Sequence, residues 1–114
     1  MEDSNKTQSS IMFTDMVGYS RMVSKDQDHT LKLLDEHNDL LISLIEKFNG
    51  KVIKLIGDAI FAHFTIAEEA ALCAMDMQMK ILKRNALAHA KDHFKIRIGL
   101  HQGEVVVKGD DLFG

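Results

Sequence analysis

The chain has 114 residues, 14 basic against 17 acidic side chains for a formal net charge of −3, 46% apolar residues, no proline, no tryptophan and a single cysteine. That length holds one domain with a sizeable core, and the lone Cys73 excludes an internal disulfide and fits a reduced, cytoplasmic protein. A weakly acidic balance without a basic stripe excludes a nucleic-acid binder that works by neutralising phosphates, and leaves a bound nucleotide open.

Residues 1–10 read as a polar tail without the apolar core of a secretory signal, and 11–114 as one continuous domain. No apolar run approaches bilayer-spanning length, so no membrane contact is expected from this chain; a longer parent could carry a membrane segment or regulatory domains. The first strand is expected over Ile11 to Thr14. After a turn at Gly18, Ser24 with Gln27 forms a capping box that opens a long helix closed at Gly50. Leu34, Leu41, Leu44, Ile45 and Phe48 recur at helical spacing along it, with Lys32, Asp35, Glu36, Asp39 and Glu46 opposite.

Lys51 to Ile56 and Ala59 to Phe64 are short apolar runs around Gly57-Asp58, which predicts a tight hairpin with Asp58 at its tip. Thr65 with Glu68 starts a second helix that fades near Ala90, with Leu72, Met75, Met79 and Leu82 as its core-facing stripe. Phe94 to His101 alternates Ile96, Ile98 and Leu100 with Lys95, Arg97, Gly99 and His101, and Gly103 turns the chain into Val105 to Val107. Cys73 is expected as a packed residue, His63 and His101 as structural, and His29, His37, His89 and His93 on solvated helix surfaces.

This order gives an α+β fold, a ferredoxin-like βαββαβ sandwich in which an antiparallel sheet carries two helices on one face. In that topology the first strand lies beside the hairpin, so Asp15 and Asp58 converge despite their separation in sequence. Two carboxylates at adjacent strand ends suit a hard divalent cation, although aspartate is equally at home as an ordinary turn residue in both places. Met16, Val17, Gly18, Tyr19 and Ser20 place backbone N–H groups before a helix, where they can hold phosphate. Neither a P-loop nor a G-x-G-x-x-G pattern is present.

The segments Phe13-Thr14-Asp15-Met16-Val17-Gly18-Tyr19-Ser20, Lys54-Leu55-Ile56-Gly57-Asp58-Ala59, Arg97-Ile98-Gly99-Leu100-His101-Gln102-Gly103 and Asp111-Leu112-Phe113-Gly114 together resemble the class III adenylate/guanylate cyclase catalytic domain, in the family's order. The resemblance implies conversion of ATP to 3′,5′-cyclic AMP and pyrophosphate in a homodimer. Asp15 and Asp58, with the Met16 carbonyl, match the ligands of two divalent cations, Mg²⁺ or Mn²⁺, and Val17 to Ser20 match the phosphate loop. Arg97 matches a phosphate-contacting arginine, and Lys54 with Asp111 match the pair that reads adenine rather than guanine. The asparagine and arginine of the family's next helix follow the Phe113-Gly114 step, so the resemblance implies an incomplete catalytic domain, lacking its last elements and inactive by itself. A non-catalytic nucleotide-binding or dimerisation module of the same fold is the alternative. A diguanylate cyclase lacks support because the hairpin reads Leu-Ile-Gly-Asp-Ala, and a ferredoxin-like RNA binder because the strands are expected to lack exposed stacking aromatics and the net charge has the wrong sign.

Overall fold

The computed structural model describes residues 6–108 and 111–113, with side chains over residues 9–103. Among these residues five strands form one antiparallel sheet: β1 (Lys6–Met16), β2 (Lys51–Ile56), β3 (Ala59–Phe64), β4 (Ile96–Lys108) and β5 (Asp111–Phe113), in the order β2-β3-β1-β4-β5. Three helices connect them: α1 (Tyr19–Lys25), α2 (Gln27–Lys47) and α3 (Ala67–Ala86), followed by a single 3₁₀ turn at Ala90–Asp92. Strands β1 to β4 and the helices α2 and α3 are the expected ferredoxin-like sandwich, and the β2–β3 hairpin has the expected bounds.

The sheet's two faces follow from the period of two along each strand. Met12, Thr14 and Met16 on β1, and Ile60, Ala62 and Phe64 on β3, point toward the helices and are buried. They meet Leu33, Leu41, Leu44 and Ile45 of α2 and Ala70, Cys73, Met77 and Ile81 of α3 in one core. Burying a large apolar side chain of this kind contributes about 1.5–3 kcal/mol. Phe13 and Asp15 lie on the opposite, helix-free face beside Phe61, Arg97 and Gly99.

Several boundaries differ from the sequence expectation. Strand β1 starts at Lys6, inside the residues read as a polar tail, because β4 runs straight through Gly103 and supplies partners down to Lys6↔Val106. The turn expected at Gly103 is therefore absent. The first helical stretch is two helices, not one. Asp26 takes an extended conformation, its N–H closes α1 on the Met22 carbonyl, and its side chain accepts the His29 N–H at the start of α2. An aspartate that caps directly thus displaces the capping box read at Ser24 and Gln27.

At the other end of α2 the left-handed position belongs to Asn49, with φ of 66°. The Asn49 N–H donates to Glu46 and the Gly50 N–H to Ile45, the paired bonds of a Schellman ending. Helix α3 begins without a side-chain cap, with Ile66 before it, so the box read at Thr65 and Glu68 is not formed, and it ends at Ala86 rather than near Ala90. Its buried stripe is also a different one: Leu72, Met75, Met79 and Leu82 are exposed, while Ala70, Cys73, Met77 and Ile81 face the core.

Candidate functional site

Strand β1 ends on Asp15 and Met16, and the neighbouring β2–β3 hairpin turns on Gly57 and Asp58. Gly57 adopts φ of 57°, a conformation that costs glycine little and other residues more. The turn returns Asp58 to β1, where its Oδ2 accepts the Met16 N–H at 2.7 Å. A main-chain donor thereby holds the hairpin tip against the end of β1. Asp15 and Asp58 come together as expected: both line a polar cleft of about 520 Å³ with Met16, Gly18, Tyr19, Ser20, Ala59 and Arg97.

The two carboxylates are held differently. Asp15 stands opposite Arg97 in the β1–β4 register, and the guanidinium forks onto it, Nε donating to Oδ1 at 2.9 Å and Nη2 to Oδ2 at 3.3 Å. The hydrogen bond to Asp15, then the charges of Asp15 and Asp58, push the Arg97 pKa above its ordinary value. The side chain of Arg97 is 70% exposed and that of Asp15 39%. This pairing escapes a sequence reading, since Asp15 and Arg97 meet only once the strand register is known.

The loop expected to hold phosphate has one of its N–H groups already bonded. The Val17 N–H donates to the Lys95 carbonyl at 2.9 Å, so it is committed to the segment just before β4. Gly18 precedes α1 with φ of 71°, and Tyr19 and Ser20 begin that helix, whose first N–H groups have no intrahelical acceptor. Tyr19 packs on the core and fixes the loop, while Ser20 is exposed at the cleft.

Lys54 does not line this cleft. It follows an irregularity in β2, pairs with Phe61 and places its Nζ 5.4 Å from the Phe61 ring centre. Phe61 in turn stacks on Phe13 with ring centres 6.3 Å apart. Asp111 opens β5, which pairs with β4 and comes near β2, the strand of Lys54, at a few residues only; the Asp111 side chain and Gly114 fall outside the described residues.

His37, expected on a solvated surface, is fully buried. Its Nδ1 pairs with Asn38 Oδ1 at 2.9 Å, its ring meets Phe94 edge-on, and its Nε2 has no partner among the described residues. Burial lowers its pKa, against smaller opposing effects of the Asn38 hydrogen bond and the Asp58 charge. Its helical spacing from Leu33, Leu41, Leu44 and Ile45 was the available signal.

The donor set fits a hard divalent cation. Two carboxylates converge on a polar cleft, and no third His, Cys, Asp or Glu joins them among the described residues, which leaves coordination places for a backbone carbonyl and for substrate oxygens. No helix among the described residues is long and apolar enough to cross a membrane.

Residues 1–111 match the family model of the adenylate and guanylate cyclase catalytic domain. Among curated proteins, the chain is 32% identical over 106 residues to putative adenylate cyclase 3 of Rhizobium meliloti, covering 91% of this chain and 18% of that protein. It is 29% identical over 105 residues to serine/threonine-protein kinase pkn2 of Myxococcus xanthus, covering 91% of this chain and 13% of that protein. Among solved structures, an adenylate/guanylate cyclase/hydrolase from Silicibacter pomeroyi superposes with a TM-score of 0.86 at 28% identity, over 96% of this chain and 64% of that one. The chain thus spans less than a fifth of either curated relative.

Proposed function

We propose a reaction for this chain from one premise: it belongs to the adenylate and guanylate cyclase catalytic domain family. The reaction is ATP to 3′,5′-cyclic AMP and pyrophosphate. The observation that carries it is the meeting of Asp15 and Asp58 in one polar cleft beside the Gly18 turn and Arg97.

In this reading Asp15, Asp58 and the Met16 carbonyl hold two Mg²⁺ or Mn²⁺ ions. When bound, they lower the barrier to attack of the ribose 3′-oxygen on the α-phosphorus and neutralise the triphosphate. The N–H groups of Gly18, Tyr19 and Ser20 point a helix start at phosphate oxygens. Arg97 adds a planar donor fork suited to phosphate. Asp58 stays oriented because the Met16 N–H binds its Oδ2, leaving Oδ1 for other partners.

The base-reading pair supports a dimer. Lys54 lies away from the Asp15 cleft, so in this proposal Lys54 and Asp111 serve the cleft of a second copy. A lysine that donates to adenine N1 and a carboxylate that accepts from its amino group favour ATP, because guanine presents the reverse pattern there.

The test suited to these 114 residues is nucleotide binding with Mn²⁺, with cyclic AMP followed in parallel. ATP should bind in preference to GTP and only with the metal, and Asp15→Asn or Asp58→Asn should weaken binding at least roughly ten-fold, the scale of one lost charged ligand contact. Equal binding of GTP would remove the adenine assignment. Metal-independent binding untouched by either variant would point to the alternative, a nucleotide-binding module without catalysis.

A further inference from the structure

Asp58 is held by a donor that cannot leave, the Met16 N–H of the sheet, whereas Asp15 is held by one that can. The Arg97 fork covers both oxygens of Asp15 from the adjacent strand, yet its side chain is 70% exposed, and exposed ion pairs of this kind are weak enough to be released readily. Each carboxylate oxygen keeps a second lone pair, so a cation is not sterically barred from Asp15. It would nonetheless settle within a few ångströms of a guanidinium, where like charges repel even when partly exposed. Arg97 lines the same cleft as Gly18, Tyr19 and Ser20, so leaving Asp15 takes it no farther than the place where phosphate would lie.

We propose that Arg97 is an exchangeable counter-ion for Asp15: it yields the carboxylate to an incoming divalent cation and turns to the phosphates of the nucleotide, so that metal and nucleotide strengthen each other's binding through one side chain. This rests on the reading of the cleft as a metal and nucleotide site, and adds to it a coupling between the two ligands. The coupling is reciprocal: whatever factor the nucleotide adds to metal affinity, the metal adds to nucleotide affinity. The arginine suits both partners, because its fork matches carboxylate and phosphate alike.

The experiment is Mn²⁺ binding, read from the electron paramagnetic resonance signal of the free ion, first with MnCl₂ alone and then with 3′-deoxy-ATP, which lacks the attacking hydroxyl. Arg97→Gln should bind Mn²⁺ alone more tightly than the parent, by roughly two- to five-fold, the weight of an exposed ion pair. The enhancement of Mn²⁺ affinity by 3′-deoxy-ATP should fall in the same variant. Arg97→Lys, which keeps the charge without the fork, should lie between, and the difference should shrink as salt is raised. Unchanged Mn²⁺ affinity in Arg97→Gln, with Asp15→Asn weakened, would overturn the exchange and leave the metal site standing. Parent-like Mn²⁺ binding by Asp15→Asn would overturn the metal site and the exchange together. Circular dichroism of each variant confirms that the fold is retained, as the exposure of Arg97 leads one to expect.

Discussion

Gly50 and His37 show how single residues set the stability of this fold. A methyl group on Gly50 would come within 2.5 Å of the Phe64 ring and 2.9 Å of Ile45, both fully buried, so the side chain is excluded by close approach of the core and not by backbone conformation. Gly50→Ala should therefore cost about 1–3 kcal/mol in urea denaturation, the range for overpacking a filled core. His37 acts through protonation. Its folded pKa lies below the ordinary 6.5 because burial penalises the charged ring. Below that ordinary value the unfolded chain binds a proton that the folded chain refuses, so the His37 contribution is complete above about pH 6.5 and fades as pH falls toward the folded pKa. His63, lowered by burial and by the Lys51 charge, acts in the same direction. Urea midpoints should drop between pH 7.5 and pH 5.5, and His37→Gln should show a smaller drop than the parent.

The helices differ in how legible they were. On α2 the polar positions Lys32, Asp35, Glu36, Asp39 and Glu46 are all exposed, and Leu41, Leu44 and Ile45 are buried, because its apolar and charged faces are chemically distinct. On α3 apolar residues surround much of the helix, so two stripes at helical spacing compete and periodicity cannot choose between them. The sheet chooses, by presenting its buried face to Ala70, Cys73, Met77 and Ile81. Met75 and Met77 test this directly. Met77→Lys would bury an unpaired charge and should unfold the domain, whereas Met75→Lys, at a position 68% exposed, should change stability by no more than about 0.5 kcal/mol. Thermal melts of the two variants separate these outcomes. Strands β2 and β3 were legible end to end, whereas β1 was legible only in its centre, since Lys6 to Ser10 extend it only because β4 offers them partners.

At the scale of the molecule, the site depends on contacts well away from it. Arg84 of α3 binds Glu36 of α2, with Nη2 to Oε1 at 2.8 Å, and also donates to the Asp92 carbonyl and covers the Phe94 ring. Asn85 donates to the Phe94 carbonyl. These bonds fasten the segment that leads into β4, and so set the height at which Arg97 meets Asp15. The convergence of Asp15 and Asp58 could be anticipated because strand order alone brings it about. The Arg97 pairing and the commitment of the Val17 N–H to Lys95 could not, because both depend on register and on a loop carbonyl that leave no mark on residue type. The same packing closes over Cys73, the single cysteine of the sequence, which has no exposed surface and whose thiol burial pushes up to about 12. A disulfide reagent at pH 8 should find almost no thiolate in the closed form and should react only when α3 lifts from the sheet. The labelling rate then counts opening events in native buffer. A chain that labels as fast as a free thiol peptide would mean that α3 is not seated, while a rate slowed by ATP with Mn²⁺ would show that ligand binding at one end of the sheet steadies the helix across its face.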